Sequence, residues 1–183
     1  TLVGEPDNKP TLEAKFIFRI NGQQITYNSP VKYKINSPIN GDDYRPFNIG
    51  NPIYMNPVNN LEYFVNTNKK QLEVEVISGI DNLNARVFLD VPEDTKVEPE
   101  FFDVEFKNDD ERKILRFNVS LSGTKNSISN ISYKAKIDDK VFSRGKQKIV
   151  YSHISQQTRF PKSDVSLIKF DLNIKAKNIA YLM

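Results

Sequence analysis

Residues 115–121 read Leu-Arg-Phe-Asn-Val-Ser-Leu, and residues 131–137 read Ile-Ser-Tyr-Lys-Ala-Lys-Ile. In the first, Leu115, Phe117, Val119 and Leu121 alternate with Arg116, Asn118 and Ser120. In the second, Ile131, Tyr133, Ala135 and Ile137 alternate with Ser132, Lys134 and Lys136. A period of two puts every second side chain on the same side of a pleated strand. One apolar and one polar face mark an antiparallel sheet with one side buried.

The same pattern recurs outward from these stretches. Phe16, Phe18 and Ile20 share a face, with Lys15 and Arg19 pointing away. Leu72, Val74 and Val76 alternate with Glu73 and Glu75, Val87, Leu89 and Val91 with Phe88 and Asp90, and Phe102, Val104 and Phe106 with Asp103 and Glu105. Late in the chain, Ile168, Phe170, Leu172 and Ile174 are expected on one face, with Lys169, Asp171 and Asn173 on the other. Turn signals separate the runs: Asn21-Gly22, Asn40-Gly41-Asp42, Pro92-Glu93-Asp94, Asn108-Asp109-Asp110, Ser122-Gly123 and Asp138-Asp139. No window keeps apolar residues at helical spacing behind a cap, and alanine is scarce. The sequence therefore predicts an all-β fold, an antiparallel β-sandwich of the immunoglobulin-like or fibronectin III-like kind.

Length fits that architecture. The 183 residues make one medium domain or two small ones. Twenty-six basic against 23 acidic residues leave a net charge of +3, too near balance to predict a nucleic-acid partner. No run approaches 18 apolar residues, so no membrane insertion is expected. There is no cysteine, which removes disulfides, thiolate metal ligands and a thiol nucleophile together. With one histidine, a multi-histidine metal site would need ligands from another chain. No cofactor is expected. No signal peptide opens the chain at Thr1, and it reads as a mature product or an excised fragment.

An internal likeness sets the domain expectation. Residues 15–36 and 132–154 each carry an alternating strand ending in Ile (Ile20, Ile137), a polar turn, a short apolar return and a strand with a tyrosine (Tyr33, Tyr151). The offset, about 115 residues, is roughly one immunoglobulin-like domain. Residues 1–48 then read as the end of a truncated immunoglobulin-like unit plus linker. Residues 49–152 read as a complete sandwich, and 153–183 as a linker and trailing strands leading towards a following domain. The leading segment would lack half of its partner sheet, so its apolar face would need cover from elsewhere.

The tail KIVYSHISQQTRFPKSDVSLIKFDLNIKAKNIAYLM resembles the region after the catalytic domain in long bacterial members of the PIG-L deacetylase family. The matching positions are Tyr151, His153, Ile154, Gln157, Pro161, the strand over 167–172 and Ile179-Ala180-Tyr181. Upstream, VKYKINSPINGDDYRPFNIGNPIYM is similar to that family's link between two immunoglobulin-like domains, with Asp42 where the family more often has Glu. The segment ARVFLDVPEDTKVEPEFFDVEF is like the Val-Pro-x-x-x-x-x-x-Pro pattern of bacterial accessory β-sandwich domains. The resemblance covers about residues 24–183. It implies a zinc-dependent N-deacetylase as parent, acting on an amino sugar or its conjugate, in the bacterial periplasm, cell envelope or extracellular space. That family's His-Pro-Asp-Asp motif does not occur here. No catalytic residue carries over, and this chain is expected to be a non-catalytic accessory or spacer module whose partners are neighbouring domains of the same polypeptide.

Five residues stand as candidates for interaction: Tyr44, Tyr54, Tyr151, His153 and Gln157. His153, in register with Ile149 and Tyr151, reads either as a ligand or proton-transfer group or as a structural histidine at a domain junction. Tyr27, Tyr33, Tyr44, Tyr54 and Tyr63 concentrate in the first third. An exposed row of them would stack on sugar rings, making glycan a second partner class; half-burial on a pleated sheet is the other reading. Asp42-Asp43 and Asp109-Asp110-Glu111 offer oxygens for calcium but lack its loop spacing. Arg144, Lys146 and Lys148 read as an anion contact or as a solvated face. The alternative function is therefore a carbohydrate-binding or adhesin-like module.

Overall fold

The computed structural model describes residues 9–38, 41–122, 126–151 and 154–173, and among them every regular element is a strand. In chain order these are β1 (Glu13–Ile20), β2 (Gln23–Pro30), β3 (Lys32–Ser37), β4 (Gly41–Pro46), β5 (Ile53–Pro57) and β6 (Leu61–Val65). Then come β7 (Lys69–Ser78), β8 (Leu83–Asp90), β9 (Thr95–Glu98), β10 (Phe101–Phe106) and β11 (Arg112–Leu121). The chain continues through β12 (Ser127–Ile137), β13 (Lys140–Phe142), β14 (Gln147–Tyr151), β15 (Ile154–Arg159) and β16 (Asp164–Phe170). They fall into two units. One comprises residues up to 50 and 147–159, the other 51–146 and the residues from 160 onward.

The second unit holds the core. Its sheets run β10-β8-β12-β16-β6, with β13 paired to β12, and β5-β7-β11-β9. Their inner faces are the alternating residues read from sequence: Leu72, Val74 and Val76, Val87 and Leu89, Val104 and Phe106, Leu115 to Leu121, and Ile131 to Ala135 all join one buried cluster. Phe117 is the hub. Its ring meets Phe102 edge-on at 5.0 Å and Tyr133 at 6.0 Å, so it links the two sheets. The outward residues are paired rather than idle. Glu73 accepts from Arg116 and Glu75 from Arg112, directly across or one rung along β7 and β11. The architecture is all-β, with a packed sandwich in this unit.

Strand β16 departs from the expectation. The sequence reads residues 153–183 as a linker and trailing strands; β16 lies inside the larger sheet, antiparallel to β12 and parallel to β6. Its buried side is Val165, Leu167 and Lys169, while Ile168 and Phe170 are only partly covered. The expected face is thus inverted. The run Val-Ser-Leu-Ile-Lys-Phe has apolar residues in both phases, and the pairing with β12, where Ile131 opposes Val165, selects the phase that starts earlier. Lys169 goes inward as the consequence. Ile174 and the stretch 178–182 lie outside the described residues.

A short closure completes the sandwich beside β5. Met55 N donates to Arg144 O at 3.0 Å, Ser163 Oγ to Met55 O at 2.6 Å, and Gly145 N to Pro161 O at 2.9 Å. Asn56 Oδ1 accepts from Lys146 N at 2.9 Å while its Nδ2 donates to Lys146 O at 3.0 Å. A Cβ on Gly145 would fall 2.4 Å from Asn56 Oδ1 and 3.0 Å from Met55 O, so a larger residue would have to displace the Asn56 amide from its bonds to Lys146.

The first unit is three hairpins, β1-β2, β3-β4 and β14-β15. Asn21 and Gly22 both have positive φ, 49° and 82°, and close the two-residue loop between Ile20 and Gln23. That is the turn whose twist matches antiparallel strands. No side chain described in this unit is buried.

Candidate functional site

The β1-β2 register decides what the first unit presents. Phe16 opposes Tyr27, Phe18 opposes Ile25, and Ile20 opposes Gln23. Opposed residues share a face, so Phe16, Phe18, Ile20, Ile25 and Tyr27 form one apolar side of the ribbon. Each is between 46% and 60% exposed. The rings of Phe16 and Phe18 lie 6.3 Å apart and within 13° of parallel, and Tyr27 is 6.3 Å from Phe16. Lys15, Arg19, Gln24 and Asn28 take the other side, together with the exposed Ile17. The sequence pattern identified the Phe16 face. Ile25 and Tyr27 join it through the Asn21-Gly22 turn, whose two-residue loop fixes the opposing register.

The candidate residues do not form one site. Tyr44 is exposed on β4, with Lys34 Nζ 5.8 Å from its ring centre. Tyr151 is exposed at the end of β14. Gln157 is half-buried on β15, opposite Ile149. His153 lies outside the described residues. Tyr54 belongs to the other unit and is buried at 3% exposure, stacked on Phe160 at 5.6 Å with Lys146 Nζ 5.3 Å from its ring. Burial pushes its phenol above the usual tyrosine range, and its ring is part of the packing rather than a surface contact.

Near Tyr44, a depression of about 300 Å³ is lined by Tyr33, Arg45, Phe47, Gln156 and Thr158. Arg45 is already engaged there. Its Nε donates to Asp43 at 2.7 Å and its Nη1 to Gln156 at 2.9 Å.

The acidic turns and the basic row are used locally. Asp42 pairs with Lys34 at 2.6 Å. Glu111 Oε2 accepts from the backbone of Lys107 at 2.8 Å and Asn108 at 3.3 Å, and these bonds hold its carboxyl below the usual range. Lys146 pairs with Asp110 at 3.1 Å, and Arg144 donates to Phe160 O at 3.1 Å. Among the described residues no group of three or more His, Cys, Asp or Glu could hold a metal ion. No helix among them is long and apolar enough to cross a membrane.

A polar depression on the sandwich was not read from sequence. It has a volume of about 600 Å³ and is lined by Asn84, Arg86, Asp103, Glu105, Lys136 and Asp138. Arg86 gives both Asp103 oxygens a hydrogen bond, at 2.8 and 3.0 Å, and its guanidinium lies 3.9 Å from the Phe101 ring centre. The fork holds the Asp103 carboxyl below its ordinary value. A carboxylate so held is a poor base near neutral pH. Each of these side chains is an ordinary outward position of β8, β10, β12 or the β12–β13 turn; only the cross-strand pairing brings them together.

No protein-family model matches the sequence, and no curated protein matches it.

Proposed function

We propose that this chain is a non-catalytic, immunoglobulin-like accessory module of a larger bacterial protein of the envelope or extracellular space, and that its ribbon unit makes the contact with neighbouring domains. One observation carries the reading: the five apolar residues of the β1-β2 face stand in strict register and exposed, in a unit none of whose described side chains is buried. A two-stranded ribbon is marginal in water until its apolar face is covered. Its worth to the molecule then lies in what covers it.

Strand order supports the immunoglobulin-like part. The path β5-β7-β11-β9 follows the A-B-E-D order and β8-β12-β16 the C-F-G order. The departure is between β8 and β11, where the strand that joins the smaller sheet, β9, precedes the one that joins the larger, β10. The PIG-L deacetylase parent is supported by the motif resemblance running from Tyr151 through Tyr181. Catalysis then belongs to another domain of the polypeptide, and this module spaces or orients it. The test is the reading frame: it should encode a His-Pro-Asp-Asp-type domain upstream, and a frame without one removes the deacetylase part of the reading.

The near-parallel Phe16 and Phe18 rings favour a second reading, in which the ribbon is an aromatic platform for sugar. A glycan array separates the two. Binding lost in Phe18→Ala supports the platform; an array without binding removes it.

A further inference from the structure

The outer face of the larger sheet should be its solvated side, yet part of it is apolar across three strands. Ile128, Ile168 and Tyr63 form one row across β12, β16 and β6. Leu61 precedes Tyr63 on the same face of β6, Val65 follows it, and Phe170 stands opposite Val65. Tyr63 and Phe170 meet edge-on at 6.2 Å. Ile128 is the most open large apolar residue described, at 75% exposure, and Leu61, Tyr63 and Val65 are all exposed. The polar members of these rows are Ser166 and Asn130, and they satisfy each other at 2.9 Å.

We propose that this face is a self-association surface, and that its occupant is the same face of a second copy of the chain. Electrostatics select that partner. The rows from Leu61 to Phe170 hold no carboxylate, ammonium or guanidinium, so turning the face on its own image brings no like charges together. Within those rows a charged partner would find nothing to pair with; the first carboxylate on that side of β16, Asp164, lies in the next row, opposite Ser132. Size agrees: the exposed parts of these side chains come to about 500 Å² per copy, or about 1,000 Å² for two, where specific association begins. Two sheets stacked face to face about 10 Å apart is a common packing mode. Edge-to-edge pairing through β6 is opposed by the sequence. Glu62 points inward from that edge strand and is ion-paired to Lys70, and Lys70 Nζ also donates to the edge carbonyl of Tyr63 at 3.3 Å. An inward charge on a short edge strand is a device against sheet extension. The face, not the edge, is left to associate. This inference does not rest on the accessory-module reading.

Sedimentation velocity of the whole chain from about 1 to 200 μM should show a reversible monomer–dimer equilibrium, in the micromolar range typical of an interface at the lower size limit. Ile128→Glu should raise the dissociation constant at least tenfold, and Phe18→Glu on the ribbon should leave it unchanged. A monomer at 200 μM overturns the proposal, and so does a dimer that Ile128→Glu leaves intact. Should Ile128→Glu lower the melting temperature as well, a spin label on Ile128→Cys in this cysteine-free chain decides. A defined intermolecular distance below about 40 Å supports the face, and its absence in a dimeric sample overturns it.

Discussion

Single positions carry tight constraints in the sandwich unit. Gly79 is one. A Cβ there would sit 2.3 Å from the carbonyl oxygen of Asn51 and 3.0 Å from the Tyr54 ring. The obstacle is backbone, held by the bond from Gly79 N to Pro52 O at 2.8 Å, so it cannot swing aside. Gly79→Ala should destabilise the unit by about 1–3 kcal/mol, the range of overpacking, measured from urea midpoints. An unchanged midpoint would show that the β5 approach can relax. Glu111 sets a second expectation, this time in pH. Its folded carboxyl lies below the unfolded value because two backbone N–H groups bind the charged form. Its contribution is therefore complete above the unfolded value of about 4.3 and is lost as pH falls through the folded one. Glu111→Gln should be less stable than the parent at pH 7, and the two stability curves should converge in acid. Parallel curves from pH 7 to 2.5 would contradict this account.

At the level of strands, legibility followed the number of apolar phases. Residues 72–76, 102–106, 115–121 and 131–137 each have one, and their predicted faces are the buried ones. Residues 165–170 have two, and local periodicity cannot choose between them. Pairing with β12 chooses, and that partner is more than 30 positions away in sequence. The substitution pair Leu167→Ala and Ile168→Ala tests the assignment. Leu167 is fully buried and should lose about 2–5 kcal/mol; Ile168, half-covered on the outer face, about 1 kcal/mol or less. Equal losses would mean that β16 has the other register. The interaction candidates were less legible for a related reason. Tyrosines read as one class in sequence, but Tyr54 lies in the edge strand β5, closed over by the segments around Lys146 and Phe160, and it is buried. Tyr44 and Tyr151 sit on hairpins of the other unit and are exposed. The Asn21-Gly22 turn was legible because its chemistry is local: two residues with positive φ define the loop and the register on both sides.

Across the whole molecule, the two units differ in what holds them. The buried hydrophobic cluster belongs entirely to residues 53–167 of the sandwich unit, while the described parts of 9–50 and 147–159 contribute no buried side chain. The chain leaves the sandwich at Lys146 and returns at Phe160, and the two strands of that excursion are tied at its base. Gly145 N donates to Pro161 O, and Arg144 bridges Lys162 in antiparallel fashion. The sandwich therefore does not need the ribbon unit to close its own hydrogen bonds. Burial of apolar area dominates folding, so nearly all cooperative stability should reside where the buried area is. Deleting residues 1–50 is the direct test. Calorimetry of the shortened chain should retain one cooperative transition, with its midpoint within about 5 °C of the parent's, since 1 kcal/mol moves a domain of this size by about 2–8 °C. Exchange of amide hydrogens in β7, β11 and β12 should stay slow. A shortened chain that melts without a cooperative transition would mean that the exposed ribbon residues supply core energy to the sandwich, and that their exposure is not the property to be explained.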